Sequence, residues 1–165
     1  MTAATSLRPE TPADLDAIHA LLLAAFDGPE EADLVSALRT DGDLLLSLVA
    51  ATPAGDILGH LAISPLKSPA NAAALAPVAV LPEHQGQGIG SALIHESINW
   101  AQSNDISAVF ILGNPAYYKQ FGFTTEFAEP FECEYAGPYF MGMRLTETEV
   151  DVAPAVYARA FARLS

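Results

Sequence analysis

The pattern of apolar and polar positions near the start of the chain predicts two amphipathic helices. Apolar residues recur at helical spacing over residues 12–26, and Thr11 and Pro12 stand where an N-cap and a first helical residue are favoured. A second apolar stripe runs through residues 29–40, with acidic residues near its start, where the helix dipole stabilises negative charge. Gly42 marks its end, so we expect two consecutive helices before the first hairpin.

Strand-length apolar runs dominate the remainder of the chain, at residues 43–52, 56–66, 73–81, 106–112 and 139–145. The turn signal PAGD separates the first two runs and predicts an antiparallel hairpin. The third and fourth runs are almost wholly apolar, as in strands buried on both faces, and an amphipathic helix over residues 88–105 connects them. Such a crossover places its two strands parallel in one sheet.

The order of these elements predicts an α/β fold of the α+β kind, with a central mixed sheet flanked by helices. The strands are expected to be antiparallel at the start of the sheet, parallel across one crossover, and antiparallel again at the end. A doubly wound domain would instead alternate strand and helix throughout. Residues 64–75 are interpreted as a loop with two prolines, and residues 153–164 as a short terminal helix. The length predicts a single domain over residues 1–165.

Composition and charge narrow the range of partners. The chain carries 20 acidic and 7 basic residues, a formal net charge of -13, which argues against nucleic acid and membrane surfaces. Although 51% of the residues are hydrophobic, no apolar stretch approaches the roughly 18 to 20 residues that span a bilayer. The lone Cys133 and an N-terminus without a secretion signal predict a cytoplasmic location. With only two lysines, the chain would hold an anionic cofactor mainly by backbone amides.

Glycines at alternate positions lie between the third apolar run and the helix that follows it. Gly86, Gly88 and Gly90 allow close approach to the unpaired amides at the start of that helix, an arrangement that binds anions. A plain tight turn explains the same glycines. The segment lacks the lysine of a P-loop, and its glycine spacing differs from the dinucleotide-binding fingerprint.

Two blocks of sequence make this pattern more specific. In VAVLPEHQGQGIGSALI, Gln85, Gly88 and Gly90 match the acyl-CoA motif Q/R-x-x-G-x-G/A, and VFILGNPAYYKQFGF at residues 109–123 ends in Y-x-x-x-G-F. Both blocks resemble the GNAT superfamily of N-acetyltransferases, most closely its YhbS-like branch, over about residues 5–145. The resemblance implies the acyl-CoA N-acyltransferase fold, whose parallel strand pair splays apart to admit the cofactor.

The resemblance also implies roles for individual residues. The backbone of residues 78–80 would pair with the pantetheine arm of acetyl-CoA, and the amides of residues 85–91 would hold its pyrophosphate. Asn114 stands where relatives hydrogen-bond the pantetheine, and Tyr117 is interpreted as a packing residue or a cofactor contact. The predicted cofactor-binding residues are Val78, Ala79, Val80, Gln85, Gly86, Gln87, Gly88, Ile89, Gly90, Ser91, Asn114 and Tyr117.

Tyr118 is the predicted catalytic residue. Relatives often have a tyrosine four residues before the glycine that Gly122 matches, near the cofactor sulfur, and a phenol with a pKa of about 10 can protonate the departing thiolate. Packing within the aromatic YYKQFGF segment is the alternative. Pro77 independently fits the splay, because proline cannot donate to a ladder and therefore marks a bulge or an edge strand.

The sequence does not supply an obvious general base. Many relatives use a glutamate on the splayed strand, whereas residues 73–80 contain no acid. Water-relayed deprotonation or another group is expected to substitute, and Glu83, His84 and His60 are better explained as turn or strand residues. No His or Cys spacing suggests a metal site.

Acidic residues crowd the region where the acceptor site of relatives is completed. A cationic acceptor and a solvated acidic loop both explain them. They are also expected to raise the pKa of Cys133, which disfavours it as a nucleophile. The four residues are Glu126, Glu129, Glu132 and Glu134.

Two functions follow from these observations. The first is an N-acetyltransferase that moves an acetyl group from acetyl-CoA directly to a primary amine. The alternative is a non-catalytic module that binds an acyl-CoA as a sensor, which the missing glutamate favours and Tyr118 opposes. A homodimer is expected by comparison with relatives.

Overall fold

The computed structural model describes residues 5–163, and its centre is a six-stranded sheet whose strands lie side by side in chain order. The strands are β1 (Ser6–Pro9), β2 (Leu46–Ala51), β3 (Ile57–Pro65), β4 (Ala72–Val80), β5 (Ala108–Leu112) and β6 (Phe140–Arg144). The α-helices are α1 (Leu15–Ala25), α2 (Glu30–Asp41), α3 (Ile89–Ser103), α4 (Pro115–Tyr118) and α5 (Thr125–Ala128). Short 3-10 turns cover Pro12–Asp14, Pro82–His84, Lys119–Phe121 and Arg159–Arg163. Residues 1–4 and 164–165 of the predicted domain lie outside this description.

The two helices predicted near the start of the chain are confirmed, and their ends have identifiable caps. The first opens as a 3-10 turn after Thr11, whose backbone N–H donates to the Asp14 carboxylate at 2.7 Å. The guanidinium of Arg8 donates to the same carboxylate at 2.7 Å. Helix α2 ends at Gly42, whose φ of 78° lies in the left-handed region that glycine adopts freely.

The sheet has the mixed character that the sequence predicts. Strands β1 to β4 pair antiparallel, β4 and β5 pair parallel across α3, and β5 and β6 pair antiparallel. The predicted hairpin of β2 and β3 is confirmed. Strand β1 is absent from the predicted elements because its four residues, none of them fully buried, form no clear apolar period.

The loop predicted over residues 64–75 is wrong at both of its ends. Strand β3 continues to Pro65, and β4 already begins at Ala72. The alanines that open β4 are buried and paired with β3 and β5, so their burial in the sheet overrides the weak strand preference of alanine.

The predicted terminal helix over residues 153–164 is also wrong. Only Arg159–Arg163 adopt a helical conformation, as a 3-10 turn, and the predicted end at Leu164 lies outside the described residues. Val156 instead forms a bridge with Ser68, which holds this part of the segment extended along the protein.

Helices cover both faces of the sheet. On one face, Leu93 and Ile94 of α3 are fully buried in a cluster with Leu61 of β3. On the other face, α1 and α2 contribute Ile18 and Val35 to a second buried cluster. Among residues 5–163, no helix is both long enough and apolar enough to cross a membrane.

Strands β4 and β5 pair only at their beginnings. The parallel register joins Ala72–Ala74 to Ala108–Phe110, and the described ladder between the two strands ends there. On its other side β4 stays paired with β3 as far as Val80, with a register shift in the segment that contains Pro77. Pro77 therefore lies at a bulge, as the sequence predicts, and β4 diverges from β5 beyond it.

Candidate active site

The open edge of β4 is the first element of the candidate site. Residues 78–80 pair with β3 on one side, through Leu61, His60 and Gly59. On the side that faces β5, the described ladder gives these residues no partner strand. Apart from the Val80 carbonyl, which accepts a hydrogen bond from Gln85, their backbone groups on that side are therefore available to an extended ligand that adds itself to the sheet.

The glycine-rich turn follows this edge directly. Gly86 and Gly88 have φ values of 78° and 84°, in the left-handed region where an L side chain is strained. The side chain of Gln85 closes the turn, since its Nε2 donates to the carbonyl of Val80 at 3.2 Å. The turn thus depends on glycine conformation and on a bond back to the open strand.

The first turn of α3 presents unpaired amides beside the same edge. The Ala92 amide donates to the Gly88 carbonyl at 3.0 Å as the helix begins, so the amides of residues 89–91 precede the helical ladder. A Cβ at Gly90 would meet Tyr117 and Val80 only at an ordinary 3.7 Å. The packing of the protein would therefore accept a side chain at residue 90. With glycine there, space is left beside the helix start that a ligand can fill.

These elements enclose a groove of about 520 Å³, which we call the cofactor groove. Nine of the predicted cofactor-binding residues line it, and His84 joins them. No lysine or arginine is among the described lining residues, so the groove relies on backbone amides and the helix dipole. The lining residues are Val78, Val80, His84, Gln85, Gly86, Gly88, Ile89, Gly90, Ser91 and Tyr117.

Three other predicted cofactor-binding residues do not line the groove. The side chain of Ala79 is buried in the cluster formed with α1 and α2, so only its backbone belongs to the open edge. Gln87 is exposed on the turn. Asn114 caps α4, where its Oδ1 accepts a hydrogen bond from the Ala116 amide at 3.0 Å. Contacts of all twelve predicted residues with acetyl-CoA stay predictions.

Consecutive tyrosines at the end of α4 line two different cavities. Tyr117 lines the cofactor groove, with its hydroxyl 3.3 Å from that of Ser91. Tyr118 is half-buried and lines a second cavity, and the two rings meet edge to face with centroids 5.0 Å apart. A Cβ at Gly113 would overlap the Tyr118 ring, so this glycine admits the ring. Burial, and secondarily the nearby Tyr117, raise the pKa of Tyr118, which therefore stays protonated.

The second cavity, which we call the splay cavity, occupies the gap where β4 and β5 separate. It measures about 250 Å³, and Val78 lines it as well as the cofactor groove, so the two cavities adjoin at this residue. Glu31 is the one charged residue among its described lining residues. Five aromatic side chains contribute to its walls: Phe26, Tyr118, Tyr135, Tyr157 and Phe161. Apart from Tyr118, sequence reasoning missed these residues, because no local motif connects them.

No member of the acidic cluster lines either cavity, although Glu134 interacts with Tyr135, which lines the splay cavity. Glu126 borders a separate surface depression beside α4, and Glu132 and Glu134 border another. Burial raises the pKa of Cys133, and Glu134 adds to that effect, in the direction that the sequence predicts. No group of three or more His, Cys, Asp or Glu side chains within residues 5–163 is arranged to hold a metal ion.

His60 belongs to a buried polar network and lines neither cavity. Its Nε2 lies 2.8 Å from the Ser47 hydroxyl, which also bonds Glu10, and Arg39 donates to Glu10 at 2.7 Å. Burial lowers the pKa of His60 to about 4, although the negative charge of Glu10 acts in the opposite direction. At neutral pH His60 is therefore an uncharged core residue, as the sequence interpretation prefers.

The splayed sheet, open strand edge and glycine turn define an acetyltransferase of the GNAT class. The sequence profile of the "Acetyltransferase (GNAT) family" matches residues 15–123. Over 134 residues the chain is 36% identical to the uncharacterized N-acetyltransferase YhbS of Escherichia coli K12, covering 79% of this chain and 80% of YhbS. The chain therefore belongs to the GNAT acetyltransferase family, as the motifs predict.

Solved structures agree with this assignment. The crystal structure of E. coli YhbS in complex with CoA matches with a TM-score of 0.91 and 32% identity, covering 100% of this chain and 96% of that chain. A GNAT acetyltransferase from Brucella melitensis in complex with acetyl-CoA matches with a TM-score of 0.82 and 30% identity, covering 97% and 99%. Both comparisons confirm the predicted fold.

Proposed function

We propose that the protein transfers the acetyl group of acetyl-CoA to a primary amine by direct attack of the amine on the thioester. Family membership supports acetyl transfer, and the relatives solved with CoA and acetyl-CoA support the cosubstrate. The observation that carries the proposal is that the cofactor groove and the splay cavity adjoin at Val78. A thioester that extends along the open edge of β4 would carry its acyl end to that junction.

The residues of the cofactor groove fit a CoA thioester. The unpaired edge at residues 78–80 can bond the amides of a pantetheine arm, and the amides of residues 89–91 suit a pyrophosphate at the positive end of α3. Gly90 leaves space beside them. Backbone amides also explain how a chain of net charge -13 would bind a polyanion.

Side chains and backbone at the junction supply the chemistry. Acetyl-CoA provides the acetyl group, whose bond to sulfur breaks as the amine nitrogen forms its bond to the carbonyl carbon. Tyr118 donates its phenolic proton to the departing sulfur and regains a proton from solvent. The Ala79 amide faces its β3 partner His60, so the backbone amide of Val78, on the open side of β4, stabilises negative charge on the carbonyl oxygen. The amine loses its proton through water, because β4 carries no carboxylate.

The competing function is a binding module that holds an acyl-CoA without transferring the acyl group. Calorimetric titration with acetyl-CoA, followed by assay of free thiol release with amines, peptides and polyamines, separates the two. We expect binding together with thiol release that depends on the amine. Binding with no such release would contradict the enzyme and favour the module, whereas no binding would contradict both.

Location and assembly complete the proposal. The lone Cys133 supports a cytoplasmic location, which fractionation of expressing cells would check. The homodimer stays a prediction that sedimentation of the purified protein tests.

A further inference from the structure

The splay cavity combines apolar walls with a single charge. Strands β4 and β5 contribute aliphatic side chains, and five aromatic rings complete the lining. Glu31 adds the one charged group, from the first turn of α2, and its carboxylate has no hydrogen-bond or ion-pair partner among the described residues. An unpaired carboxylate at the border of an aromatic cavity favours a ligand with one positive charge and an apolar body.

The size of the cavity restricts the ligand further. At about 250 Å³ it lies below the roughly 300 to 1,000 Å³ of common ligand pockets, so it suits a small molecule rather than a length of peptide. Tyr118 and Val78 line the same cavity, which puts a bound amine beside the proposed reacting centre.

The charges around the cavity exclude two other kinds of acceptor. No cationic side chain lines it within the described part of the chain, so the carboxylate of an amino acid would be left unpaired close to Glu31. Glu126, Glu132 and Glu134 border other depressions, and Glu134 interacts with Tyr135 of this cavity without lining it. A polyamine would therefore find one carboxylate in this cavity rather than several.

We propose that the acceptor is a small primary monoamine with an aromatic or branched apolar body and no carboxylate. Glu31 binds its ammonium group, and the aromatic walls hold its body. The nitrogen then loses its proton to water before it attacks. This inference rests on the proposed acetyl transfer, because it identifies the second substrate of the same site.

A panel of three amines tests the assignment with the full chain. Phenethylamine and phenylalanine share a ring and an ammonium group and differ by one carboxylate, and spermidine tests the polyamine class. We expect kcat/KM with phenethylamine to exceed both others by at least about tenfold, because the described lining offers no partner for a carboxylate and only Glu31 for an ammonium group.

A variant of Glu31 and a matched control identify the charged contact. Glu31→Gln should raise KM for phenethylamine at least about tenfold, the effect of losing a charge-assisted contact. Acetyl-CoA affinity, measured by calorimetry, should not change, which shows that the variant is folded. Glu30→Gln removes the same charge from the neighbouring residue, which is exposed and outside the splay cavity, and should leave KM unchanged.

The outcomes separate the two proposals. Equal or better transfer to phenylalanine or spermidine, or an unchanged KM in Glu31→Gln, would overturn the acceptor assignment and leave the transferase in place. Calorimetric binding of phenethylamine that requires Glu31 but gives no thiol release would support Glu31 as the ammonium-binding residue and contradict acetyl transfer. Absence of both binding and transfer would overturn the acceptor assignment.

Discussion

The two cavities that adjoin at Val78 are built in opposite ways. The cofactor groove is lined by one strand edge, one glycine turn and the first turn of α3, all within residues 78–91, with Tyr117 added. The splay cavity is lined by residues from α2, β4, β5, α4 and the C-terminal segment, together with Phe26 after α1 and Tyr135 before β6. A contiguous site leaves a motif in the sequence, whereas a site assembled from distant residues does not.

This difference assigns separate tasks to the two cavities. In the proposed function, backbone amides of the cofactor groove would bind pantetheine and pyrophosphate, the parts that every CoA thioester shares, whatever the acyl acceptor. Side chains such as Glu31 and Tyr157 can change without disturbing the turn, so they are suited to set the acceptor. Substitutions in one cavity should therefore alter cosubstrate affinity, and substitutions in the other should alter turnover or acceptor use.

The largest expected effect is on acetyl-CoA affinity, from Gly90→Glu. The new carboxylate would enter the cofactor groove and repel the pyrophosphate, and juxtaposed like charges cost several kcal/mol, so affinity should fall at least about 100-fold. An acid in the first turn of a helix is favoured by the dipole, so the fold should persist. Calorimetric titration measures the loss, and circular dichroism checks the fold.

Ala92→Glu is the matched control for this change. It introduces the same charge two residues later in α3, on an exposed position outside the groove, so affinity should stay within about twofold because exposed charges are well screened. Equal losses in both variants would mean that general charge repulsion, rather than the groove, determines binding. Unchanged affinity in Gly90→Glu would show that the pyrophosphate does not bind beside Gly90.

The next largest effect is expected on turnover, from Tyr118→Phe. Loss of a general acid lowers rates by about 100-fold or more, so kcat should fall accordingly while acetyl-CoA affinity stays the same. Burial raises the pKa of Tyr118, so the phenol is protonated below that raised value. The wild-type kcat should therefore show no alkaline decline below about pH 10, the ordinary tyrosine pKa.

Tyr117→Phe makes the same chemical change on the adjacent residue. It removes the contact with Ser91 in the cofactor groove, so it should weaken acetyl-CoA binding by a few-fold, about the value of one neutral hydrogen bond, and lower kcat much less. If both variants lowered kcat by the same factor, Tyr117 and Tyr118 would not have the separate roles, in cofactor binding and in catalysis, that their positions in two cavities indicate. A full kcat in Tyr118→Phe would return Tyr118 to a packing role.

The contrast between the cavities also explains which parts of the fold and of the site the sequence predicts. Local periodicity predicted α1, α2 and α3, and the Q-x-x-G-x-G pattern found the groove, because these signals lie within short segments. Glu31 looked like an ordinary acid in the first turn of α2, and nothing in the sequence placed it near Tyr157. The C-terminal segment was misread as a helix because bridging of Val156 to Ser68 is a tertiary interaction.

His60 marks the boundary of the site on the β3 side. It pairs with Ala79 of the open strand, yet its imidazole is fully buried with Ser47 and faces the charges of Glu10 and Arg39. If His60 were the general base that deprotonates the amine, a catalytic residue would lie outside both cavities. Because burial lowers its pKa to about 4, His60 should instead influence how stability depends on pH.

His60→Gln tests this boundary, with the smallest expected effect on activity. The unfolded chain takes up a proton below about pH 6.5 whereas native His60 does so only near pH 4, so unfolding is favoured as pH falls through that window. The wild type should lose up to about 3 kcal/mol of unfolding free energy there, and His60→Gln should lose much less. Urea titrations at several pH values measure this slope, with His19→Gln as the control, because His19 is an exposed residue of α1.

The pH profile of kcat/KM should be the same in the wild type and both variants. Loss of its acidic limb in His60→Gln would instead identify His60 as the general base.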